Sequence, residues 1–440
     1  MKFVPEPSLE HFALVKIVIA LWNRSDVRCS IAKFSFRLPV WNRLEEWQNI
    51  EVRVMEKVPR LPLPKFLNER IKSFVRPIGI QILKWIEYHR EDHYIQINLP
   101  AEICWTPQGT IDKRKTAEIL VKEEKLDITI RYNLACIYCL ENNISELWSK
   151  VPKSFRESFS YTGRNHGKLF IFWEKEMLEK KFGLHYHPKS SIQSVFEFSA
   201  MCGNKAATEY FLPKLTARER NQSLLKTAQN VQGAEVLCFL LSQMDEEQKT
   251  QIFIIRPCKV LHCFLNWPLQ SLFIEMADLM WDFLSACDYS TLLVDVIEKI
   301  KLGYTDWNYQ NLFGMFWLKS PSNFKTYVID TCGSVLTELF HIKYKESLKF
   351  IIRNVSLTEK KKIIYADVVQ KVCEKLFLEE NWDLLGFLIH ECLPSECEMM
   401  EFRKKFETRR NIKYNLSRKK QKWNQLFSLS DLSLSLYFKN

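Results

Sequence analysis

Eleven glycines in 440 residues constrain this chain more than any other feature. Tight β-hairpins, bulges and phosphate-cradling loops need glycine where the backbone takes positive φ or approaches a ligand closely. The eleven lie at 79, 109, 163, 167, 183, 203, 233, 303, 314, 333 and 386, with no G-x-G or Walker-type spacing among them. A β-rich fold and enzymes built on Gly-rich nucleotide loops are therefore disfavoured. The sequence also carries no H-E-x-x-H, G-x-S-x-G or EF-hand spacing. Turns between helices can use Asn, Asp, Ser and Pro instead, and these separate the apolar runs here.

The apolar runs read as helices. From Ser8 to Trp22, residues Leu9, Phe12, Ala13, Val15, Ile17, Val18 and Leu21 give a broad apolar face. The Pro59–Pro64 stretch breaks helix and reads as a stiff linker. Helix resumes over Phe66–His89, with an interruption expected near Pro77, and Tyr94–Leu99 alternates like a lone strand or an extended connector. Thr110 or Asp112 can cap the next helix and Asp127 the one after. Asn142-Asn143 is expected to end that helix and open a third. Short helices joined by a few polar residues are the mark of antiparallel helical pairs.

An internal echo supports stacked pairs. Asn204–Leu212 followed by Leu215–Glu219 lines up with Gly233–Leu241 followed by Met244–Gln248, at an offset of 29 residues. Each run follows a helix ending in a small residue, Ala200 or Ala228, which lets helix backbones approach. Leu348–Ile352 and Leu385–Ile389, 37 residues apart, resemble the second helix of that pair. These offsets bracket the ankyrin and tetratricopeptide periods without matching either.

The segments Thr116–Leu120, Arg131–Cys136, Glu146–Trp148 and Asn266–Phe273 carry a resemblance. Through them the chain resembles an expanded, uncharacterised family of spider proteins with degenerate ankyrin-like helical repeats, from the N-terminus to about residue 395. The resemblance implies an ankyrin-like α-solenoid and no assigned activity. The chain departs from true ankyrin repeats in lacking the Thr-Pro-Leu-His turn and regular glycines.

The chemistry-bearing clusters are few. Cys136-Ile137-Tyr138-Cys139 is a C-x-x-C inside a helical pattern with no second ligand pair nearby, so buried core thiols are expected. His185 and His187, with His166 and Glu179 nearby, could supply metal ligands in an extended segment, but loop histidines are the preferred reading; an enzyme site gathered from scattered residues would include His185 and His187. Cys258, His262 and Cys263 are expected to pack in the core. Trp148, Trp267 and Trp382 are candidate anchors for a partner, with core packing as the plainer role.

Charge is concentrated at the C-terminus. Between Glu401 and Lys422 ten Lys or Arg and two Glu give a local net charge of +8, against +11 for the chain. The set is Arg403, Lys404, Lys405, Arg409, Arg410, Lys413, Arg418, Lys419, Lys420 and Lys422, with Tyr414 and Trp423 beside it. It reads as a localisation patch of bipartite spacing, as a phosphate-binding surface whose aromatics could stack on bases, or as a solvated helix end.

Three parts follow: 1–110, a helical region with the Pro-rich break at 59–64; 111–395, a helical-repeat array; and 396–440, a basic tail. The expected fold is all-α, an irregular α-solenoid of antiparallel helical pairs. The expected function is a non-enzymatic scaffold for protein partners without cofactor or metal, with nucleic acid or an acidic surface as an alternative partner of the tail. Thirteen cysteines, most of them in apolar patterns, and an apolar Phe12–Trp22 run preceded by Glu6 and Glu10 rather than positive charge, point to the cytosol or nucleus.

Overall fold

The computed structural model describes residues 3, 5–35, 40–90, 103–152, 154–155, 167–182, 190–231, 233–331, 334–339 and 345–427. Among these residues the structure is all-helical. No strand occurs, and one antiparallel bridge pairs Trp105 with Ile111. The alternation at Tyr94–Leu99 lies outside the described residues. No described helix is long and apolar enough to cross a membrane. The chain divides into two compact units, Met1–Met276 with Thr305–Trp307, and Ala277–Tyr304 with Asn308–Asn440.

The first unit opens with α1 (Leu9–Trp22), α2 (Ser25–Lys33), α3 (Val40–Met55) and α4 (Lys65–Arg90). Ser8 caps α1, its hydroxyl accepting from the His11 amide at 3.1 Å. Trp22 is fully buried, stacks on Trp47 with centroids 5.7 Å apart, and donates to the Val75 carbonyl at 3.0 Å. Gly79 makes this possible, since a Cβ there would lie 2.3 Å from the Trp22 ring. The interruption expected at Pro77 does not occur, for α4 runs through it. The lost amide donor and ring clash cost about 3 kcal/mol. Burial of Ile71, Val75, Ile78, Ile82 and Trp85 along the same helix exceeds that, at about 1.5–3 kcal/mol per large apolar side chain.

The unit continues with α5 (Lys113–Lys122), α6 (Ile128–Ile137), α7 (Glu141–Trp148), α8 (Gly167–Phe182), α9 (Ser190–Met201), α10 (Lys205–Phe211), α11 (Ala217–Asn230), α12 (Ala234–Ser242), α13 (Glu246–Ile255) and α14 (Pro257–Phe264). Helix α15 (Phe273–Asp278) leads into the second unit. Asp112 and Asp127 cap α5 and α6 as expected. Asn142 and Asn143 do not form the next turn; both lie in the first turn of α7. The turn is made one step earlier by Cys139 at φ 53°, with the Leu140 amide donating to the Ala135 carbonyl at 2.9 Å.

The runs at offset 29 fold alike. Asn204 and Gly233 cap α10 and α12, while Thr216 with Glu219 and Asp245 with Gln248 form reciprocal capping boxes on α11 and α13. Ala200 and Ala228 are both buried. From α9 onward packing is between near neighbours: α9 on α10 and α11, α10 on α12, α11 on α12 and α13, and α12 on α14.

The second unit holds α16 (Ala286–Lys301), α17 (Tyr309–Lys319), α18 (Ser322–Thr331), α19 (Ser334–Leu339), α20 (Lys345–Arg353), α21 (Leu357–Tyr365), α22 (Asp367–Leu378), α23 (Trp382–Cys392), α24 (Glu396–Glu407) and α25 (Arg410–Gln425). Helices α17, α20 and α23 pack in succession, as do α16, α18 and α21, and α19, α22 and α25. The C-terminal pair is part of this core. Trp423 is fully buried, stacked on Phe406 at 5.2 Å and edge-on to Phe377 at 5.3 Å.

Candidate functional site

In the second unit a groove of about 390 Å³ lies between α17 and α20. It follows from where each helix places its outward residues. Asn308 caps α17, accepting from the Asn311 amide at 2.9 Å. Leu312, Phe313, Phe316 and Trp317 turn inward and are buried, which leaves Asn311, Met315 and Leu318 on the open face. Helix α20 buries Ser347, Leu348, Ile351 and Ile352 and presents Glu346, Phe350 and Arg353. Helix α23 buries Leu384, Leu385, Leu388 and Ile389 and presents Asp383, Phe387 and His390. Each set recurs at i, i+4, i+7, so each helix contributes one outward stripe.

Close packing brings these stripes together. Gly314 has no side chain, and a Cβ there would sit 3.2 Å from the Phe350 ring. Lys349 and Arg353 reach from α20 over the Phe387 ring of α23, at 5.8 and 5.3 Å from its centroid. Glu346 is neutralised by Lys349 at 3.1 Å, whereas no carboxylate among the described residues pairs with Arg353. Ser347 lines the groove as a buried residue whose hydroxyl has no hydrogen-bond partner.

A second cavity, of about 410 Å³, lies in the first unit, with Tyr138 in its lining and the first turns of α5, α10 and α12 around it. The phenol bonds His89 Nε2 at 2.9 Å, and His89 Nδ1 lies 2.6 Å from the Trp85 carbonyl. A carbonyl can only accept, so Nδ1 carries the proton and Tyr138 donates to Nε2. Burial, and after it Glu235, raise the Tyr138 phenol well above its ordinary range. Lys113 and Lys205 both meet Glu235, at 3.3 and 4.0 Å, and Arg114 pairs with Glu118 at 3.4 Å. The cavity is thus lined by matched charges and a neutral phenol.

The basic residues of the C-terminus lie on α24 and α25 and on Arg409 between them. Four are committed to the fold. Arg403 binds Glu407 at 2.9 Å and Asn424 at 2.5 Å, Lys405 binds Glu401 at 2.6 Å, and Arg409 pairs with Glu374. Lys419 donates to the Leu378 carbonyl at 2.6 Å, capping the end of α22, and meets Glu380 at 3.2 Å. Lys404, Lys420 and Lys422 are exposed, while the side chains of Arg410, Lys413, Arg418 and Tyr414 lie outside the described residues. Trp423 cannot stack on a base, since it is buried and its indole donates to Glu407 at 2.7 Å.

Cys136 and Cys139 are buried, and burial pushes both thiols well up. His166, His185 and His187 lie outside the described residues, and Glu179 is half-buried on α8. The expected core cluster on α14 splits, with Cys263 buried, Cys258 half-buried and His262 exposed. Trp148 is buried, Trp267 stacks on His11 at 5.2 Å, and Trp382 stands edge-on to Phe377 at 5.5 Å. No group of three or more potential metal ligands occurs among the described residues. Sequence reasoning reached Phe350 and Phe387 through the echo of their helices, but not the outward stripes around them. The signal was there in the i, i+4, i+7 spacing of residues that are not all apolar.

No protein-family model matches the chain, and no curated protein matches it.

Proposed function

We propose that the protein is a non-enzymatic scaffold that binds other proteins on the open face of α17, α20 and α23. One observation carries the reading: Met315, Phe350 and Phe387 occupy the same outward position on three successively packed helices, beside the groove. Met315 and Leu318 are 39% and 48% exposed, which leaves apolar area for a partner to cover. Within the second unit, the neighbour-to-neighbour packing and the capping boxes of Ser285 with Asp288 and Ser356 with Glu359 support a degenerate, ankyrin-like α-solenoid as the frame for this face, of the kind the spider-family resemblance implies. Free cysteines suit the cytosol or nucleus.

The test is quantitative co-purification from the source cells with the wild-type chain, a Met315→Ser/Leu318→Ser variant and, as control, Leu302→Ser at another exposed leucine of the unit. The reading expects a defined set of proteins to fall at least tenfold with the double variant alone. Equal recovery by all three chains would contradict it.

A second reading rests on Lys404, Lys420 and Lys422, three exposed cations on the C-terminal pair that fit an acidic surface or nucleic acid. These three would contribute a log–log salt slope of about −3 to such contact.

A further inference from the structure

We infer that the groove between α17 and α20 takes an extended peptide segment that carries a carboxylate side chain beside an apolar one. The inference rests on the proposed binding face and names the chemistry of its partner. Extended chain is favoured over helix by what lines the groove. A helix satisfies its own amides and carbonyls, whereas an extended segment presents both groups to its surroundings about every 3.3 Å. Gln310 and Asn311 stand exposed at the amino end of α17, and each side-chain amide offers a donor and an acceptor that match a peptide unit. Ser347 adds a buried hydroxyl still without a partner. Between them Met315, Leu318 and Phe350 give an apolar floor for alternate side chains.

The charge follows from the ion pairs. Glu346 is already neutralised by Lys349, so the uncompensated charge of the lining is the Arg353 guanidinium. Its position over the Phe387 ring, 5.3 Å from the centroid, restricts its orientation before any ligand arrives. A planar guanidinium held in this way suits a carboxylate, which it can bind through two parallel hydrogen bonds.

Three fluorescein-labelled, end-capped ten-residue peptides of alternating leucine and serine test this. They carry at one end two glutamates, two lysines or two phosphoserines, and are titrated by anisotropy into the full chain. The glutamate peptide is expected to bind at least tenfold more tightly than the lysine peptide. Arg353→Glu should reverse that order, Arg353→Lys should remove part of the preference, and Phe350→Ala should weaken all peptides alike. Unchanged urea midpoints would show that these variants keep their fold. Equal binding of the glutamate and lysine peptides, or an order unaffected by Arg353→Glu, would overturn the inference. A tenfold preference for phosphoserine over glutamate would also overturn it, by assigning the cation to phosphate. If no peptide binds while the Met315→Ser/Leu318→Ser chain still loses its co-purifying proteins, the peptide inference falls and the binding face stands. If neither effect is seen, both fall.

Discussion

Glu51 is the residue whose chemistry bears most directly on stability. It is 4% exposed between α3 and α4, with Arg76 at 3.8 Å. Burial raises its carboxyl to about 7, more than Arg76 lowers it. The folded state therefore holds this proton more tightly than the unfolded chain, whose carboxyl titrates near 4.5. Below about 4.5 the group is neutral in both states and has no effect. Between about 4.5 and 7 the unfolded chain ionises first, so stability falls as pH rises, and above about 7 the penalty is complete. Its size is about 3–4 kcal/mol, from about 1.4 kcal/mol per unit of pKa. Glu51→Gln should therefore match the wild type in urea unfolding near pH 4.5 and exceed it by roughly this amount at pH 8. Parallel stability–pH curves for the two chains would contradict the assignment.

At the scale of elements, the helix ends explain how a glycine-poor chain makes tight turns. Four helices close alike: α6 through Cys139, α9 through Gly203, α16 through Gly303 and α22 through Glu380, all at positive φ. In each case the amide of the following residue reaches back to a carbonyl five residues earlier, at 2.9–3.0 Å. Glu380 holds this geometry at φ 59° without glycine. Glu380→Val should lower stability by about 1–2 kcal/mol, because a β-branched residue fits the left-handed region poorly. Glu380→Gly should stay within about 0.5 kcal/mol of wild type, since relief at the backbone offsets loss of the exposed ion pair with Lys419. Denaturant unfolding that found Val and Gly equivalent would remove the strain argument. The capping boxes were legible as Thr-x-x-Glu and Asp-x-x-Gln. Cys139 and Glu380 were not, because neither residue type announces positive φ. Pro77 misled for the opposite reason, as tertiary burial overrode a local helix breaker.

For the molecule as a whole, the scarcity of glycine and the spacing of apolar runs made an all-helical chain readable in advance. The candidate site was less legible. The +8 segment drew attention by its charge, yet Arg403, Lys405, Arg409 and Lys419 turn out to bind acidic, amide or carbonyl partners in the fold. Glu401 and Glu407 lie one helical turn from Lys405 and Arg403 and are readable, but Asn424, Glu374 and Glu380, 21 to 39 residues from the cations they meet, are not. The groove was hidden differently. Met315, Phe350 and Phe387 look like core residues in a one-dimensional pattern, and only the packing of three separate helices shows which face stays open. Under the proposed function, partners bind this face. Site-specific photo-crosslinking in the source cells tests it most directly, with a photoreactive residue at Leu318 and, in a second chain, at Leu302. Discrete adducts of the same few proteins are expected from position 318 and none of these from position 302. No adduct at 318, or the same adducts from both positions, would contradict it.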